Sequence, residues 1–181
     1  MITPVLETDR LILRPIRKED TNSIFDCWMK DEDVSRYMFW KASDDIKEAE
    51  GFVNFELGNI KNELWYRWII ELKSTNEIIG TCLIYYNDDE GEEHWDVSYN
   101  LGAKYWDKGY VTEAMQRVML FAKNELTIKE CITTYAKENS ASGKVLEKLG
   151  FRFVQEESYI CNGGEIETTG IRVKWNSDTK S

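Results

Sequence analysis

The chain has 181 residues, of which 42% are hydrophobic and 13% aromatic, so it can bury the core of one globular domain. Its net charge of −10 excludes a general electrostatic attraction to nucleic acid and favours a cationic partner, such as an amine or a basic peptide. The four cysteines form no Cys-x-x-Cys pair and His94 is the single histidine, which argues against a metal site and a disulfide framework. We see no secretion signal or membrane-length apolar run, so we expect a cytoplasmic protein that binds no metal, nucleic acid or membrane.

The N-terminal half is predicted to begin with mixed elements and then to become β-rich. In chain order we expect a strand at 9–16, helices at 19–30 and 44–60, and strands at 64–72 and 78–86. A broken, charged connection separates the two helices. The short turns between the later strands indicate antiparallel neighbours.

The C-terminal half alternates strands with amphipathic helices. We expect a strand at 94–101, a helix at 109–126, a strand at 128–136, a helix at 140–149 and a hairpin formed by 151–161 and 165–175. The long helix carries Val111, Ala114, Met115, Val118 and Met119 at helical spacing, which predicts a face turned to the core. The order of elements predicts an α+β fold with one domain over 1–175 and a flexible tail at 176–181.

Residues 97–115 join the end of a strand, a short loop and the start of the long helix. The loop contains Lys104, Lys108 and Gly109. The first turn of a helix leaves backbone N–H groups unpaired, its dipole favours negative charge, and glycine lets the backbone approach an anion closely. This stretch therefore predicts a phosphate-binding loop, to which the two lysines could add charge.

Two other segments give this loop a more specific meaning. Residues 139–151 read Asn-Ser-Ala-Ser-Gly-Lys-Val-Leu-Glu-Lys-Leu-Gly-Phe, which alone would be a capped amphipathic helix. Residues 7–16 read Glu-Thr-Asp-Arg-Leu-Ile-Leu-Arg-Pro-Ile, and Asp20 follows. Together with the loop, and in the same order, these segments resemble the GNAT superfamily of N-acetyltransferases. More narrowly, they resemble the branch that contains RimJ and RimL, the ribosomal-protein N-terminal alanine acetyltransferases.

The resemblance implies a fold and a reaction. The fold would be the GNAT acyl-CoA N-acyltransferase fold, with a mixed, mostly antiparallel sheet of about seven strands flanked by about four helices. The reaction would be direct transfer of an acetyl group from acetyl-CoA to a primary amine by a monomer or homodimer. A protein N-terminus, a polyamine or other small amine, and an aminoglycoside-like drug all remain open as acceptors.

The resemblance also implies the acetyl-CoA site. In this superfamily the strand that ends at Leu101 splays from its neighbour at a bulge, and the pantetheine arm lies in the gap. The implied cofactor-binding residues are Tyr99, Asn100, Leu101, Trp106, Asp107, Lys108, Gly109, Tyr110, Val111, Thr112, Asn139 and Ser142. Asp107 departs from the glycine that the family usually has there. A carboxylate beside a pyrophosphate is repulsive unless it points away.

Acetyl transfer needs a group that takes a proton from the amine, donors for the oxyanion and a group that protonates the leaving thiolate. Asp96 is our leading candidate for the first task, or for binding the cationic amine, because the related branch usually carries Glu there. Glu92, Glu93 and His94 remain alternatives.

The other two tasks are assigned through the resemblance. Backbone N–H groups near Asn100 and Leu101 would stabilise the oxyanion. Many relatives use a Tyr where this chain has Leu146, which cannot donate a proton. The branch of RimJ and RimL resembles this chain in having Leu there, and the resemblance implies Ser142 as the acid for the thiolate. The hydroxyls of Tyr105, Tyr110 and Tyr135 remain alternatives. Cys131 is expected to be a buried strand residue and not a nucleophile.

An aromatic segment between the first two helices is the predicted wall of the acceptor site. Its candidate substrate-binding residues are Tyr37, Phe39 and Trp40, with Asp96.

Two alternative functions keep the same fold, namely an acyltransferase that uses a longer acyl-CoA donor and a non-catalytic acyl-CoA-binding sensor. The substitutions Asp107 and Leu146 favour the sensor, whereas Asp96, Asn139 and Ser142 favour the enzyme.

Overall fold

The computed structural model describes residues 2–88 and 91–178. Its strands are β1 (Leu6–Glu7), β2 (Leu11–Arg14), β3 (Trp65–Leu72), β4 (Ile78–Asn87), β5 (His94–Leu101), β6 (Glu130–Ala136), β7 (Arg152–Cys161) and β8 (Ile166–Asn176). Within these residues they form one eight-stranded sheet in the order β1-β2-β3-β4-β5-β6-β8-β7. Neighbours are antiparallel except β5 and β6, which are parallel, so the predicted mixed, mostly antiparallel sheet is confirmed.

The helices within the described residues also follow the predicted order. They are α1 (Thr21–Ile24), α2 (Glu32–Ser35), α3 (Ile46–Asn59), α4 (Tyr110–Asn124) and α5 (Ser140–Lys148). A 3-10 turn at Lys18–Asp20 precedes α1 and a π-helical turn at Phe25–Met29 follows it, so the helical segment matches the predicted helix at 19–30. The predicted charged connection contains the short helix α2, which Asp31 caps by accepting hydrogen bonds from two backbone N–H groups.

The two faces of the sheet carry separate hydrophobic cores. α4 buries Ala114, Met115 and Val118 against one face, as its apolar spacing predicts. On the other face α1 and α3 pack Ile24 and Val53 on the sheet. Because side chains alternate along a strand, Val97, Tyr99 and Leu101 of β5 face α4, whereas Asp96, Ser98 and Asn100 face the side of α1 and α3.

The sheet opens between β5 and β6. Their parallel pairing is confined to Trp95 and Cys131, and a hydrogen bond of 3.2 Å from the Thr133 hydroxyl to the Val97 carbonyl oxygen follows. The strands then diverge, so the predicted splay is present. The expected bulge is not found, because β4 and β5 keep an unbroken register from Asn87 opposite His94 to Gly80 opposite Leu101.

The C-terminal strand is longer than predicted. Asn176, placed in the predicted tail, pairs with Glu130 in β6, and the N–H of Ser177 donates to the carbonyl oxygen of Lys129 at 2.9 Å. These two tail residues are therefore bonded to the sheet, and 179–181 lie outside the described residues. No helix among the residues described is long and apolar enough to cross a membrane.

Candidate active site

A cleft of about 1430 Å³ follows the gap between β5 and β6. It runs from the N-terminus of α4 past the N-terminus of α5 to the turn between β7 and β8. Its lining comes from both faces of the sheet, with Ser142 on the side of α4 and α5 and Asp96 on the side of α1 and α3. Two molecules could therefore approach the gap from opposite faces.

The backbone of β5 presents free hydrogen-bonding groups to this gap. Gly102 donates to the carbonyl oxygen of Ile79 at 2.9 Å, so the two residues form a hydrogen-bonded pair. In an antiparallel ladder the next residue of each strand turns its peptide groups outward, so the N–H groups of Tyr99 and Leu101 face the gap. The N–H of Asn100 points to β4, so of the two predicted oxyanion donors only that of Leu101 faces the gap.

Two polar groups near the end of β5 differ in their hydrogen bonding. The indole N–H of Trp106 donates to the Leu101 carbonyl oxygen at 2.9 Å, which fixes the loop against the strand end. Among the described side chains, the Nδ2 atom of Asn100 is buried without a hydrogen-bond partner. Tyr99, Asn100, Leu101 and Trp106, which are among the residues predicted to bind the cofactor, all line the cleft.

The loop between β5 and α4 has the backbone of an anion site. Asp107 has a φ of 58° and Gly109, the residue before α4, has a φ of 77°. Left-handed residues at the entrance of a helix turn successive N–H groups to one side, where they can surround an anion. Asp107 and Gly109 line the cleft, together with three residues of the first turn of α4, namely Tyr110, Val111 and Thr112.

The lysines of this loop do not point into the cleft. The ammonium of Lys108 donates to the carbonyl oxygen of Lys104 at 2.7 Å. Lys104 Nζ lies 3.8 Å from a carboxylate oxygen of Glu77 and over the ring of Tyr105. Neither lysine lines the cleft, so the structure places Lys108, a predicted cofactor-binding residue, outside the cleft lining.

The N-terminus of α5 closes the other side of the gap. The Asn139 side chain caps the helix by accepting a hydrogen bond from the N–H of Ser142 at 3.2 Å. The hydroxyl of Tyr99 lies 2.9 Å from Oγ of Ser142, a contact that sequence reasoning missed. A Cβ at Gly143 would lie 2.7 Å from the Tyr135 hydroxyl, so a glycine is needed here for this close approach.

Asp96 is held in the cleft by hydrogen bonds to both carboxylate oxygens. Its Oδ1 accepts from the N–H of Val97 at 2.6 Å, and its Oδ2 accepts from the hydroxyl of Tyr85 at 3.2 Å. Burial raises the pKa of Asp96 to about 6, although hydrogen bonds from Thr133 and Val97 oppose the shift. A carboxylate with such a pKa can accept a proton near neutral pH.

The three alternatives to Asp96 have other partners. Glu92 forms an ion pair with Arg172, and the Glu93 carboxylate accepts from the Tyr86 hydroxyl at 3.1 Å without lining the cleft. His94 does line the cleft, and its Nδ1 lies 2.8 Å from the Glu92 carbonyl oxygen, so this nitrogen carries the proton. Sequence reasoning missed Arg172 because it lies 80 residues from Glu92.

Two of the three aromatic residues predicted for the acceptor wall lie at the cleft. Tyr37 and Phe39 line the cleft. The Tyr159 hydroxyl donates to the Tyr37 carbonyl oxygen at 2.9 Å, and the Phe39 and Tyr159 ring centroids are 5.7 Å apart. Trp40 was predicted to contact substrate, but it packs against the core between α1 and α3 and does not line the cleft.

No group of three or more His, Cys, Asp or Glu side chains in the part of the chain that the structure describes could hold a metal ion. Cys131 is fully buried, and burial raises the pKa of its thiol, so it is not a nucleophile facing the cleft.

A sheet that splits between two parallel strands, with an anion loop at one helix N-terminus and a carboxylate of raised pKa in the gap, defines an acyl-CoA-dependent acyltransferase. Residues 10–152 match the family model described as "Acetyltransferase (GNAT) domain", so the chain belongs to the GNAT acetyltransferases. The family and the fold predicted from the sequence are both confirmed.

Individual relatives agree with this assignment. The chain is 30% identical over 149 residues to the uncharacterised N-acetyltransferase YoaA of Bacillus subtilis (strain 168), which covers 82% of this chain and 83% of YoaA. The ribosomal-protein-S5-alanine acetyltransferase of Vibrio fischeri has a TM-score of 0.81 at 20% identity, covering 98% of this chain and 99% of that one. RimL, the ribosomal L7/L12 α-N-protein acetyltransferase, was solved with coenzyme A and has a TM-score of 0.78 at 15% identity, covering 99% and 100%.

Proposed function

We propose that this acetyltransferase transfers acetyl from acetyl-CoA directly to the primary amine of a protein N-terminus or of a small molecule. The observation that carries this proposal is the cleft through the sheet, which Asp96 and Ser142 line from opposite faces. Acetyl-CoA enters along α4 and α5, the amine enters along α1 and α3, and both meet in the gap between β5 and β6.

Acetyl-CoA binds through the charge of its pyrophosphate and the extended shape of its pantetheine arm. The pyrophosphate lies on the loop at the N-terminus of α4, and the pantetheine arm continues along the outward peptide groups of Tyr99 and Leu101. Asn139 lies at the N-terminus of α5 and borders the other side of the arm. This direction brings the thioester towards Ser142 and the side of β5 that carries Asp96.

The reaction divides between two side chains and the backbone. Asp96 accepts a proton from the ammonium, and the free amine attacks the thioester carbonyl carbon. A gap-facing N–H of β5, from Tyr99 or Leu101, stabilises the negative oxygen that develops. The C–S bond then breaks, its electron pair goes to sulfur, and the hydroxyl of Ser142 protonates the thiolate. The nitrogen loses its second proton as it becomes an amide, and this proton replaces the one that Ser142 gave up. The products are the amide, coenzyme A as a free thiol, and a protonated Asp96 that returns its proton to solvent.

The acceptor is an amine that carries positive charge in solution. The acceptor end of the cleft holds the carboxylates of Asp33, Glu92, Asp96 and Glu157 against the guanidinium groups of Arg36 and Arg172. This excess of negative charge favours an ammonium group. Structures of similar fold include enzymes described as acetylating ribosomal proteins, so a peptide N-terminus is the first acceptor to test.

We place the reaction in the cytoplasm, because all four cysteines are free thiols.

A sensor that binds acyl-CoA without turnover is the second candidate. Asp107 favours it, because this residue lines the cleft within the anion loop and its negative charge would weaken the binding of a pyrophosphate. The raised pKa of Asp96 favours the enzyme, since a sensor has no use for a proton acceptor in the cleft.

The test is a screen of thiol release from acetyl-CoA with a panel of peptide N-termini, polyamines and amino sugars. We expect turnover with at least one amine and a steep loss in the Asp96→Asn variant. Glu93→Gln, which removes a nearby carboxylate outside the cleft, is the matched control and keeps its rate. Calorimetric binding of acetyl-CoA without turnover of any amine would favour the sensor, and absence of binding would exclude both functions.

A further inference from the structure

The segment before β2 is bonded to the cofactor loop and to the first turn of α4. The carboxylate of Glu113 accepts hydrogen bonds from the Thr8 hydroxyl at 2.6 Å, the Arg10 backbone N–H at 2.9 Å and Arg10 Nε at 2.6 Å. Arg10 Nη1 donates to the carbonyl oxygen of Lys108 at 3.0 Å. The guanidinium carbon also lies 4.5 Å from the centroid of the Tyr110 ring. Arg10 thus contacts the loop, the helix and a ring at the helix entrance.

The contact of Arg10 with Lys108 fixes the direction of a backbone carbonyl oxygen in the cofactor loop. A carbonyl oxygen in an anion-binding loop is repulsive to phosphate if it turns towards the ligand, whereas the N–H groups attract it. The guanidinium of Arg10 binds this carbonyl from the side away from the cleft, since Arg10 does not line the cleft. The following residue, Gly109, has the left-handed φ that completes the loop.

The contact of Arg10 with Glu113 reduces the negative charge near the cofactor loop. A carboxylate in the first turn of α4 adds negative charge beside the place where the pyrophosphate binds. Burial raises the pKa of Glu113, but the hydrogen bonds from Thr8 and Arg10 outweigh it and leave the pKa lowered, so the group is ionised at neutral pH. Arg10 pairs with this charge at 2.6 Å and reduces its repulsion of phosphate.

We propose that Arg10 is a positioning residue for the acetyl-CoA pyrophosphate, which it serves by fixing the Lys108 carbonyl and neutralising Glu113 without touching the cofactor. This inference rests on the proposed placement of the pyrophosphate at the N-terminus of α4. It assigns to the opening segment of the chain a role in cofactor affinity, although that segment lies about 100 residues from the loop.

The proposal predicts an effect that depends on the pyrophosphate of the donor. Arg10→Ala should lower kcat/KM for acetyl-CoA by about tenfold or more, the loss expected when charge-assisted hydrogen bonds are removed. With acetyl-pantetheine, which has no pyrophosphate, the same variant should keep the wild-type kcat/KM. Its kcat at saturating acetyl-CoA should also be unchanged. Arg10→Lys, which keeps the charge but not the fork, should recover part of the affinity.

The control is Arg152→Ala, because Arg152 is also an exposed arginine that donates to a backbone carbonyl oxygen, that of Phe151 at 2.9 Å, away from the loop. Circular dichroism and urea unfolding establish that the variants fold. An equal loss of kcat/KM with both donors would show a merely structural role and overturn the proposal, as would an unchanged KM for acetyl-CoA.

A binding experiment separates this proposal from the proposed function. Calorimetric titration with coenzyme A and with pantetheine needs no acceptor amine. Weaker binding of coenzyme A but not of pantetheine by Arg10→Ala would support the positioning role even if no amine were acetylated. If wild-type protein bound pantetheine but gained nothing from the pyrophosphate, both the loop assignment and this inference would be wrong.

Discussion

The phenolic oxygen of Tyr99 lies 2.9 Å from Oγ of Ser142 and 3.2 Å from the carbonyl oxygen of the same residue. Tyr99 belongs to β5 and Ser142 to the first turn of α5, so the pair bridges the gap in which we place the thioester. Burial raises the pKa of Tyr99, so its hydroxyl keeps its proton at neutral pH. When Tyr99 donates to Oγ, the hydroxyl proton of Ser142 is free to point at the sulfur.

Removal of these hydroxyls tests the assignment of the acid. Ser142→Ala should lower kcat by about 10- to 100-fold, within the range for loss of a general acid, with little change in the KM for acetyl-CoA. Tyr99→Phe should have a smaller effect of about three- to tenfold, because it removes only the group that orients the acid. Both rates are measured by thiol release under saturating amine.

The control for this prediction changes the leaving group. An acetyl thioester of a more acidic thiol needs less protonation as it leaves, so the loss in Ser142→Ala should shrink with that donor. An equal loss with both donors would contradict a role for Ser142 as the acid and would leave it as a helix-terminal residue near the cofactor.

The raised pKa of Asp96 predicts the pH dependence of the reaction. Asp96 is protonated and cannot accept a proton below its pKa of about 6, so kcat/KM should rise with pH through a midpoint near 6. Asp96→Asn should remove this rise, the acidic limb of the pH–rate profile, along with most of the activity. The matched control is Glu92→Gln, another carboxylate that lines the cleft, which should keep the limb. A limb that persists in Asp96→Asn would assign the titration to another group.

The raised pKa of Asp96 also predicts how the free energy of unfolding depends on pH. This stability should fall as the pH rises through about 6, whereas the activity should rise. The pKa of Asp96 is raised from 3.8 to about 6 on folding, so between these values the folded state binds more protons than the unfolded state. This contribution is present below pH 3.8 and is lost as the pH rises through about 6. Asp96→Asn should therefore be more stable than wild type at pH 8, on the order of 2 kcal/mol, and similar to it at pH 3.5. Urea unfolding at both pH values measures the difference.

The sequence predicts the fold well where its signals are local. The bounds of β5 were predicted correctly, because an acidic turn precedes this β-rich run and Gly102 follows it. The end of β8 was not, because Asn176 is ordered by its pairing with Glu130, a contact between distant residues. The π-helical turn after α1 was not predicted either. It contains Trp28, which is completely buried between helix and sheet, and this burial depends on contacts with distant residues.

The site follows the same division. Gly109 and the amphipathic start of α4 locate the anion loop because the loop is built from consecutive residues. The direction of a long side chain is not a local property, so the sequence could not show that Lys108 donates to a carbonyl oxygen or that Trp40 packs against the core. The pair Tyr99 and Ser142 joins residues 43 positions apart, and only the fold brings them together.

A buried ion pair near the opening strand is predicted to be important for stability. Arg14 binds Asp20 through two hydrogen bonds of 2.8 and 2.9 Å, and their side chains are 7% and 6% exposed. Arg14 also donates to Glu71 at 2.7 Å. Removal of one partner leaves a buried charge less well compensated, so Asp20→Ala should lower the free energy of unfolding by about 3 kcal/mol. Asp26→Ala, which breaks the exposed pair with Lys30, should cost less than about 0.5 kcal/mol.

Urea unfolding of the two variants at neutral pH makes the comparison. A further variant that replaces all three charged groups, with Asp20→Leu, Arg14→Met and Glu71→Leu, should lose less stability than Asp20→Ala, because it leaves none of the three charges without its partner. Equal losses in Asp20→Ala and Asp26→Ala would show that Glu71 alone compensates Arg14.

Asp107 predicts that the cofactor loop of this chain can be improved by a single substitution. Its φ of 58° is left-handed, which suits glycine and costs other residues roughly 1 kcal/mol, although Asp tolerates it better than most. Asp107 also lines the cleft, so its negative charge lies near the proposed pyrophosphate. Asp107→Gly should therefore tighten acetyl-CoA binding by about three- to tenfold and stabilise the loop. Calorimetry at low and at physiological salt measures the affinity, and the gain should be larger at low salt.

Asp107→Asn separates the two causes, since Asn keeps the tolerance for a left-handed φ and removes the charge. If repulsion dominates, both variants should bind acetyl-CoA more tightly and to a similar extent. If backbone strain dominates, only Asp107→Gly should raise the free energy of unfolding, and the affinity of Asp107→Asn should stay at the wild-type value. Unchanged affinity in both variants would mean that the carboxylate turns away from the phosphates, and the argument for a sensor would then lose its support.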